Sequence, residues 1–219
     1  KYAVEDREIV DYATLPESVG NAVVASEDRT FWTNSGVDVK GIARAFYNNI
    51  KGGGRQGAST LTQQYVERYY TNTVTDYAGK AREAILAVKI TQKQDKPEIL
   101  GNYLNTIYFG RGAYGIQAAA KKYYGVNAAD LTVSQAAMIA GIIPSPTNWD
   151  PAVNPAPAEE RWKRTLRNME EDGHITAEEH QAAVAAGFPE AVEYVKSQKY
   201  DCLLFTSDAA DDGESVDLG

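Results

Sequence analysis

The sequence predicts a mainly α-helical protein, and three observations support this fold class. Apolar residues recur at the three- and four-residue spacing of a helix face in one segment after another. Residues that commonly begin or end helices bracket these segments. Strand-like patterns are confined to residues 1 to 15, which leaves little room for a large sheet.

The first half of the chain contains four predicted helices. Pro16 begins a helix that ends near Asp28, a second spans residues 37 to 51, and a third begins at Ser59, whose hydroxyl we expect to cap it. The fourth spans residues 76 to 94, with Lys80 and Glu83 on one flank of its apolar stripe. The predicted apolar faces are Val39, Ile42, Ala43, Phe46 and Ile50 in the second helix, and Tyr77, Ala81, Ala84, Ile85 and Val88, as a buried stripe, in the fourth.

The second half continues in helices with recognisable ends. Asp95 caps a helix that has Pro97 in its first turn, and Gly125 ends the following one. A helix from about Ala158 to Asp172 ends at Gly173, after a proline-rich irregular stretch. The last predicted boundaries are the capping boxes Thr132–Gln135 and Thr176–Glu179, and the stop at Gly187.

We interpret residues 16 to 198 as one domain. Residues 1 to 15 are expected to be an extended lead-in that follows a membrane anchor missing from this chain. The glycine-rich stretch 52 to 57 predicts a mobile loop, because glycine loses the most backbone entropy on ordering. The tail 199 to 219 is expected to be disordered. It resembles translated sequencing-adapter read-through, and a natural acidic tail is the alternative.

Composition excludes several classes of function. The single cysteine, Cys202, rules out an internal disulfide framework and a multi-cysteine metal site. Only two histidines, His174 and His180, are available for a triad or a zinc cage. The net charge of −8 falls largely on the tail, so the near-neutral remainder lacks the basic surface that nucleic-acid binding needs. The mostly apolar run 136 to 143 is too short to span a bilayer.

Glu27 is the leading candidate for a catalytic group. It lies in VVASEDRTFW (23 to 32), between apolar residues and beside a second carboxylate, Asp28. Desolvation and the neighbouring acid both favour the protonated form, which suits a carboxylate for taking a proton near neutral pH. Taken alone, however, this stretch fits a solvated helix end with an acidic pair better.

Three further stretches carry candidate site residues. GASTLTQQ (57 to 64) places hydroxyls and amides at a helix start, and KARE (80 to 83) places two cations around a glutamate. Residues 96 to 125 are dense in Tyr, Asn and Gly. Each also has an ordinary structural explanation: a helix cap, a charged helix face worth about a few tenths of a kcal/mol per pair, and a packed core.

Together, the four stretches resemble the signature of family 51 glycosyltransferases, the peptidoglycan polymerases of class A penicillin-binding proteins and monofunctional transglycosylases. The resemblance covers about residues 8 to 190 and rests on EDxxFxxxxG, GxSTxTQQ, KxxE and KxEILxxYLNxxYFGxGxYGIxxAAxxYYG in combination. It implies a lysozyme-like helical main lobe with a small mobile jaw lobe, the jaw and its loop lying around residues 29 to 57.

The resemblance also implies a reaction, the inverting polymerisation of lipid II into β-1,4 glycan strands with release of undecaprenyl diphosphate. Glu27 would be the general base for the acceptor hydroxyl, supported by Asp28. Glu83 would be the second essential carboxylate, orienting cations or a bound Mg²⁺ or Mn²⁺. The implied substrate-binding residues are Asp28, Arg44, Ser59, Thr60, Gln63, Gln64, Lys80, Arg82, Asn105 and Arg161, of which Arg44, Lys80 and Arg82 would balance the diphosphate charge.

The departures from the family pattern at residues 67 and 79 remove two cations and add an acid, which predicts weaker diphosphate binding. Arg68 and Lys163 are the candidate replacements, with Arg164 beside the latter. The departures are Asn34 in place of a histidine, Glu67 in place of a lysine, Gly79 in place of an arginine, and Trp162 in place of a basic residue.

Three functions remain open on the sequence alone: an active lipid II polymerase, a scaffold or lipid II-binding domain of the same fold with weakened catalysis, and a lytic glycan-cleaving enzyme. Lys80 and Arg82 argue against the last, because cleavage needs no diphosphate site. The implied location is the outer face of the cytoplasmic membrane, with lipid II and the growing glycan strand as partners. Residues 175 to 190 resemble a connector to a C-terminal transpeptidase domain, which we expect in the intact protein.

Overall fold

A computed structural model describes residues 6–50, 59–71 and 77–193, and these residues form a mainly helical fold, as predicted. A π-helical segment, Glu67–Thr71, continues the third helix. The loop predicted at 52–57 and the tail predicted at 199–219 lie outside the described residues. The helices are α1 (Glu17–Glu27), α2 (Val39–Ile50), α3 (Leu61–Val66), α4 (Tyr77–Thr91), α5 (Lys96–Leu104), α6 (Ile116–Tyr124), α7 (Val133–Ile142), α8 (Pro155–Glu171) and α9 (Ala177–Ala186).

The described part of the predicted lead-in, residues 6 to 15, pairs with the rest of the protein through a short strand. A short strand, β1 (Asp6–Arg7), pairs in parallel with β2 (Ala113–Tyr114), with Asp6 opposite Ala113. A single 3-10 turn, Tyr12–Thr14, then leads to α1, and the Asp11 carboxylate caps it by accepting from the Ala13 amide.

The core is centred on α7, which packs against α1 and α8. Its sequence is apolar all round, so the helix is buried from Ala136 to Ile142. Val23 and Val24 of α1 and Leu166 of α8 are also fully buried. This packing fixes the C-terminal end of α1, where Glu27 lies, beside the middle of α8.

Most predicted helix ends are confirmed. The Asp95 carboxylate accepts from the Glu98 amide, and both Thr132–Gln135 and Thr176–Glu179 form capping boxes. The prediction for the third helix is wrong by one residue: Thr60, not Ser59, caps α3. Thr60 is the cap because Gln63, three residues later, completes a capping box with it. Ser59 has Thr62 at that spacing, which is not a Glu or Gln.

The predicted buried stripe of α4 is also wrong. Ile85 is 58% exposed and Ala81 is exposed, whereas Glu83, Ala87 and Ile90 are buried. The buried face has the expected helical period, but it is rotated from the predicted one because it contains a glutamate that forms an ion pair.

The apolar face predicted for α2 exists, but its described side chains face solvent. Val39 is 69% exposed and Ile42 is 45% exposed. The side chains of Phe46 and Ile50, on the same predicted face, lie outside the described part.

Candidate active site

A cleft of about 760 Å³ opens at the C-terminal end of α1, between α2, the α3–π-helical segment and α8. It brings together residues that lie far apart in the sequence. Those from the predicted site are Glu27, Asp28, Arg44, Ser59, Thr60, Gln64 and Arg161. Others that line it are Arg29, Asp38, Glu67, Arg68, Tyr103, Arg164 and Asn168.

Glu27 is the half-buried carboxylate of this cleft. Its Oε2 accepts from Gln64 Nε2 at 3.2 Å, and its Oε1 lies 3.2 Å from the Ser26 hydroxyl, which shares its one hydrogen with the Ala140 carbonyl at 3.1 Å. Burial raises the pKa of Glu27, while the Gln64 hydrogen bond and the charge of Arg161 lower it in part. The position at the C-terminal end of α1 acts in the same direction as burial, because the helix dipole there disfavours an anion.

Asp28, in contrast, is buried and saturated with donors. Its carboxylate accepts from the Leu61 amide at 3.1 Å, from the Thr30 hydroxyl at 2.9 Å and from Asn34 Nδ2 at 3.0 Å. It thereby ties the loop after α1 to the start of α3. The predicted support of Glu27 by Asp28 stays a prediction, because these hydrogen bonds lead to the loop and to α3.

Asn34 occupies the position where the family pattern has a histidine, and it extends the same network. Its Oδ1 accepts from Lys96 Nζ at 3.0 Å and from the Gly36 amide at 3.0 Å. Gly36 ends this loop with φ of 94°, and a Cβ there would lie 2.5 Å from the Ala87 carbonyl oxygen of α4. Only glycine fits this close approach, which holds the loop against α4.

The two glutamines of GASTLTQQ (57 to 64), Gln63 and Gln64, have different roles. Gln64 contacts Glu27, as described above. Gln63 is buried, and its Oε1 accepts from the Thr60 amide at 3.0 Å, so the structure uses it as a helix cap instead of placing it in the cleft. The Thr60 hydroxyl donates to the Gly36 carbonyl at 2.7 Å, and Ser59 is exposed at the cleft.

Glu83 lies behind the cleft wall in an ion cluster. Its Oε2 accepts from Lys80 Nζ at 2.8 Å, and Lys80 also contacts Glu67 Oε2 at 3.3 Å. Burial opposes the charge on Lys80, but the bonds to Glu83 and Glu67 prevail and raise the pKa of its ammonium. Glu67 lines the cleft, so the Lys80 ammonium joins a cleft-lining carboxylate to the buried Glu83.

The cations that line the cleft are in part those predicted. Arg44 and Arg161 are there as expected, and Arg161 donates from Nε to the Gly141 carbonyl at 2.9 Å. Burial lowers the pKa of Arg161, whereas the nearby Glu27 raises it. Arg68 and Arg164 also line the cleft, while the predicted Lys80 and Arg82 are absent from its described lining.

Residues 162 to 164 of α8, where the family pattern has a basic residue, point in different directions. Trp162 faces the core, with its Nε1 donating to the Ser134 hydroxyl at 3.1 Å. Lys163 is half-exposed and paired with Glu159 at 2.6 Å. Of residues 162 to 164, Arg164 is the one that lines the cleft, about one helical turn after Arg161.

Asn105 does not belong to the cleft, contrary to the prediction. Its Oδ1 accepts from the Val10 amide at 3.0 Å, and its Nδ2 donates to the Val10 carbonyl at 2.9 Å. This side chain therefore fixes the lead-in to the end of α5. The pairing joins residues 95 positions apart, which no local sequence signal indicates.

The described residues do not form a protein cage for a divalent cation. Among them, no group of three or more His, Cys, Asp or Glu side chains is arranged to hold a metal ion. The Asp28 carboxylate accepts from several N–H and O–H groups, and Glu67 is paired with Lys80. Among the described residues, the predicted Mg²⁺ or Mn²⁺ therefore has no ready set of protein ligands, and its binding stays a prediction.

Comparison with known proteins identifies the family. The family model described as "Transglycosylase" matches residues 1–170. The chain belongs to this family, that of the peptidoglycan glycosyltransferases.

Relatives of this transglycosylase chain are longer proteins. Penicillin-binding protein 1A of Neisseria lactamica is 42% identical over 184 residues, which is 84% of this chain and 23% of that protein. Penicillin-binding protein 1A of Mycobacterium tuberculosis is 42% identical over 187 residues, or 84% of this chain and 22% of that protein. The chain thus spans less than a quarter of the length of these relatives.

The fold has a solved counterpart. The crystal structure of penicillin-binding protein 1A from Haemophilus influenzae matches with a TM-score of 0.53 and 23% identity, covering 86% of this chain and 18% of that one. The likeness supports the lysozyme-like helical fold. Within the described part of the chain, no helix combines the length and apolar character needed to cross a membrane.

Proposed function

We propose that this transglycosylase domain polymerises lipid II into β-1,4 glycan strands and that Glu27 is its general base. The observation that carries the proposal is the half-buried Glu27 carboxylate, which faces a cleft lined by arginines. Glu27 takes the proton of the acceptor's 4-hydroxyl while that oxygen attacks C1 of the donor sugar. The C1–O bond to the lipid diphosphate breaks, and attack from the opposite face inverts the anomeric centre.

The environment of Glu27 suits this task. Partial burial raises the pKa of the carboxyl, so a proton taken from an alcohol is held more tightly than by an exposed glutamate. The hydrogen bonds from Ser26 and Gln64 come from neutral donors, so the carboxylate is oriented but not neutralised by a contacting cation. A solvated, salt-bridged glutamate would be a weaker base.

The departing diphosphate needs positive charge nearby. Arg44 of α2, Arg68 of the π-helical segment and Arg161 with Arg164 of α8 line the same cleft. Arginine suits this role because its guanidinium can donate two parallel hydrogen bonds to phosphate oxygens. We assign the diphosphate to these four arginines, and we assign Lys80 to a supporting role as the partner of Glu83.

We further propose that the intact protein acts at the outer face of the cytoplasmic membrane and carries a C-terminal transpeptidase domain. The supporting observation is the length of the relatives, of which the matched region is less than a quarter. Lipid II and the growing glycan strand are the partners that this reaction requires.

The test is a polymerisation assay of the purified chain with lipid II, with glycan product separated by gel. The parent should consume lipid II, whereas Glu27→Gln should lose activity by about 10²- to 10⁴-fold, the usual contribution of a general base. Glu159→Gln is the matched control, because Glu159 is a partly exposed glutamate of α8 outside the cleft lining. Glu27→Gln polymerising at the parent rate would refute the assignment of the base.

A second function is favoured by one observation, the acidic Glu67 in the cleft beside Lys80, which weakens the positive field there. On this alternative the domain binds lipid II as a scaffold with little turnover. Binding of a lipid II analogue without glycan product would support it. A parallel assay with finished glycan separates both from a lytic enzyme, which would consume the glycan instead.

A further inference from the structure

Tyr103 of α5 connects the core to the catalytic carboxylate through one side-chain amide. Its hydroxyl lies 2.9 Å from Gln64 Oε1, and Gln64 Nε2 lies 3.2 Å from Glu27 Oε2. Tyr103 has a relative exposure of 0%, so its ring is fixed by packing. The three groups thus form one chain of hydrogen bonds from a rigid helix to the cleft.

We propose that Tyr103 is a positioning residue for the glycosyl transfer: by donating its hydroxyl hydrogen to Gln64 Oε1, it keeps the Gln64 NH₂ group directed at Glu27. This inference rests on the proposed function, because Glu27 is the base only in that reaction. No proton is transferred along the chain. Its effect is to hold the ionised, proton-accepting form of Glu27 in one orientation.

The chemistry of the three groups favours this direction of donation. An ionised carboxylate only accepts hydrogen bonds, so it requires the NH₂ end of the amide. The amide oxygen is then left facing Tyr103, which must donate. Burial raises the pKa of the Tyr103 phenol well above its usual value, so the hydroxyl keeps the hydrogen that it donates. Successive donors in such a chain strengthen one another.

Other charges that act on Glu27 come from different elements. Asp28 follows it in the chain, and Arg161 approaches from α8. Arg68 of the π-helical segment acts on Tyr103. Replacing the Tyr103 hydroxyl by hydrogen leaves all three charges in place. A change in the titration of Glu27 can then be attributed to the Gln64 side-chain amide.

The test compares Tyr103→Phe, Gln64→Leu and the double variant in pH profiles of kcat/KM with lipid II. Tyr103→Phe should lower kcat by roughly three- to tenfold and leave KM unchanged. Its acidic limb should move to higher pH by roughly half a unit to one unit, because Glu27 loses an oriented donor. In the Gln64→Leu background, Tyr103→Phe should have no further effect, since the connecting amide is gone.

Tyr123→Phe is the matched control. It also removes one buried hydroxyl, which donates to the Phe109 carbonyl at 2.8 Å away from the cleft lining. It should lower the melting temperature comparably to Tyr103→Phe without moving the pH profile. An unmoved acidic limb in Tyr103→Phe, or equal effects of Tyr103→Phe with and without Gln64, would overturn the proposal.

A second readout does not depend on turnover. The Glu27 carboxyl can be titrated by ¹³C NMR, with its signal assigned by its loss in Glu27→Gln. Tyr103→Phe should raise the midpoint of that titration, and an unchanged midpoint would contradict the inference. If the parent makes no glycan, the proposed function fails, and this titration still decides whether Tyr103 acts on Glu27.

Discussion

Glu27 and Glu83 are both glutamates on helices near one cleft, yet the protein surrounds them differently. Glu27 is half-buried at the end of α1 and accepts hydrogen bonds from a serine and a glutamine. Glu83 is 1% exposed within α4 and pairs with the Lys80 ammonium. Neutral donors leave the Glu27 carboxylate without a contacting cation, whereas the Glu83 carboxylate is engaged in an ion pair. This difference is the reason for proposing Glu27, and not Glu83, as the group that takes the proton.

The largest effect on stability is expected where the Glu83 pair is broken. Lys80→Met leaves the buried Glu83 without its cation, and Glu83 Oε1 already lacks a hydrogen-bond partner in the described structure. We expect the free energy of unfolding to fall by about 2 kcal/mol, discounted because Lys80 itself is partly exposed. Urea denaturation measures this. Lys163→Met, which breaks the more exposed pair of Lys163 with Glu159, is the control. Equal stability of the two variants would mean that burial of Glu83 does not make its ion pair more important.

For the cleft arginines, Arg164→Ala should lower kcat/KM for lipid II by about tenfold, because it removes one of the four arginines that we assign to the diphosphate. Lys163→Ala changes the neighbouring residue, which pairs with Glu159 outside the cleft lining, and should leave kcat/KM near the parent value. Steady-state polymerisation rates of the two variants check this. Similar losses in both would argue that general charge, not position in the cleft, determines binding.

Glu27→Gln should stabilise the protein, in contrast to changes at Lys80. The folded pKa of Glu27 is raised above its ordinary value of 4.5, so ionisation opposes folding. This penalty is absent below the ordinary pKa, grows as pH rises between the ordinary and the raised value, and is complete above. The variant should therefore exceed the parent by about 1 kcal/mol at pH 7 and match it near pH 4. Urea denaturation at both pH values checks this, and a variant less stable than the parent at pH 7 would contradict the sign.

The smallest effect is expected for Glu67→Gln. Lys80 keeps its bond to Glu83, so the free energy of unfolding should change by only about a few tenths of a kcal/mol. Removing an acid from the cleft should lower KM for lipid II by about twofold, and less at high salt. Kinetics at two ionic strengths test this. A raised KM would mean that Glu67 helps to bind substrate instead of weakening its binding.

Sequence reasoning performed best where the signal was local. The caps at Asp95, Thr132 and Thr176 follow from side chains that bond to amides three residues on. The same T-x-x-Q pattern was present at Thr60 and Gln63, and it would have identified both the true cap of α3 and the role of Gln63.

Prediction from the sequence failed where contacts between residues far apart in the chain determine the role of a side chain. Asn105 binds the backbone of Val10, and the buried face of α4 contains Glu83, so an apolar stripe was the wrong criterion there. Tyr103 carried no signal that distinguishes it from a core tyrosine, because its partner Gln64 lies 39 positions earlier in the chain. Arg164 could have been preferred to Lys163, because it lies three residues after Arg161 and so on the same helix face.

Titration of the Glu27 carboxyl by ¹³C NMR in the parent protein decides whether Glu27 is a partly desolvated proton acceptor. We predict a midpoint clearly above the ordinary glutamate value of 4.5, matching the acidic limb of kcat/KM for glycan formation. A midpoint at or below that value, or an acidic limb that persists in Glu27→Gln, would show that Glu27 is not the proton acceptor.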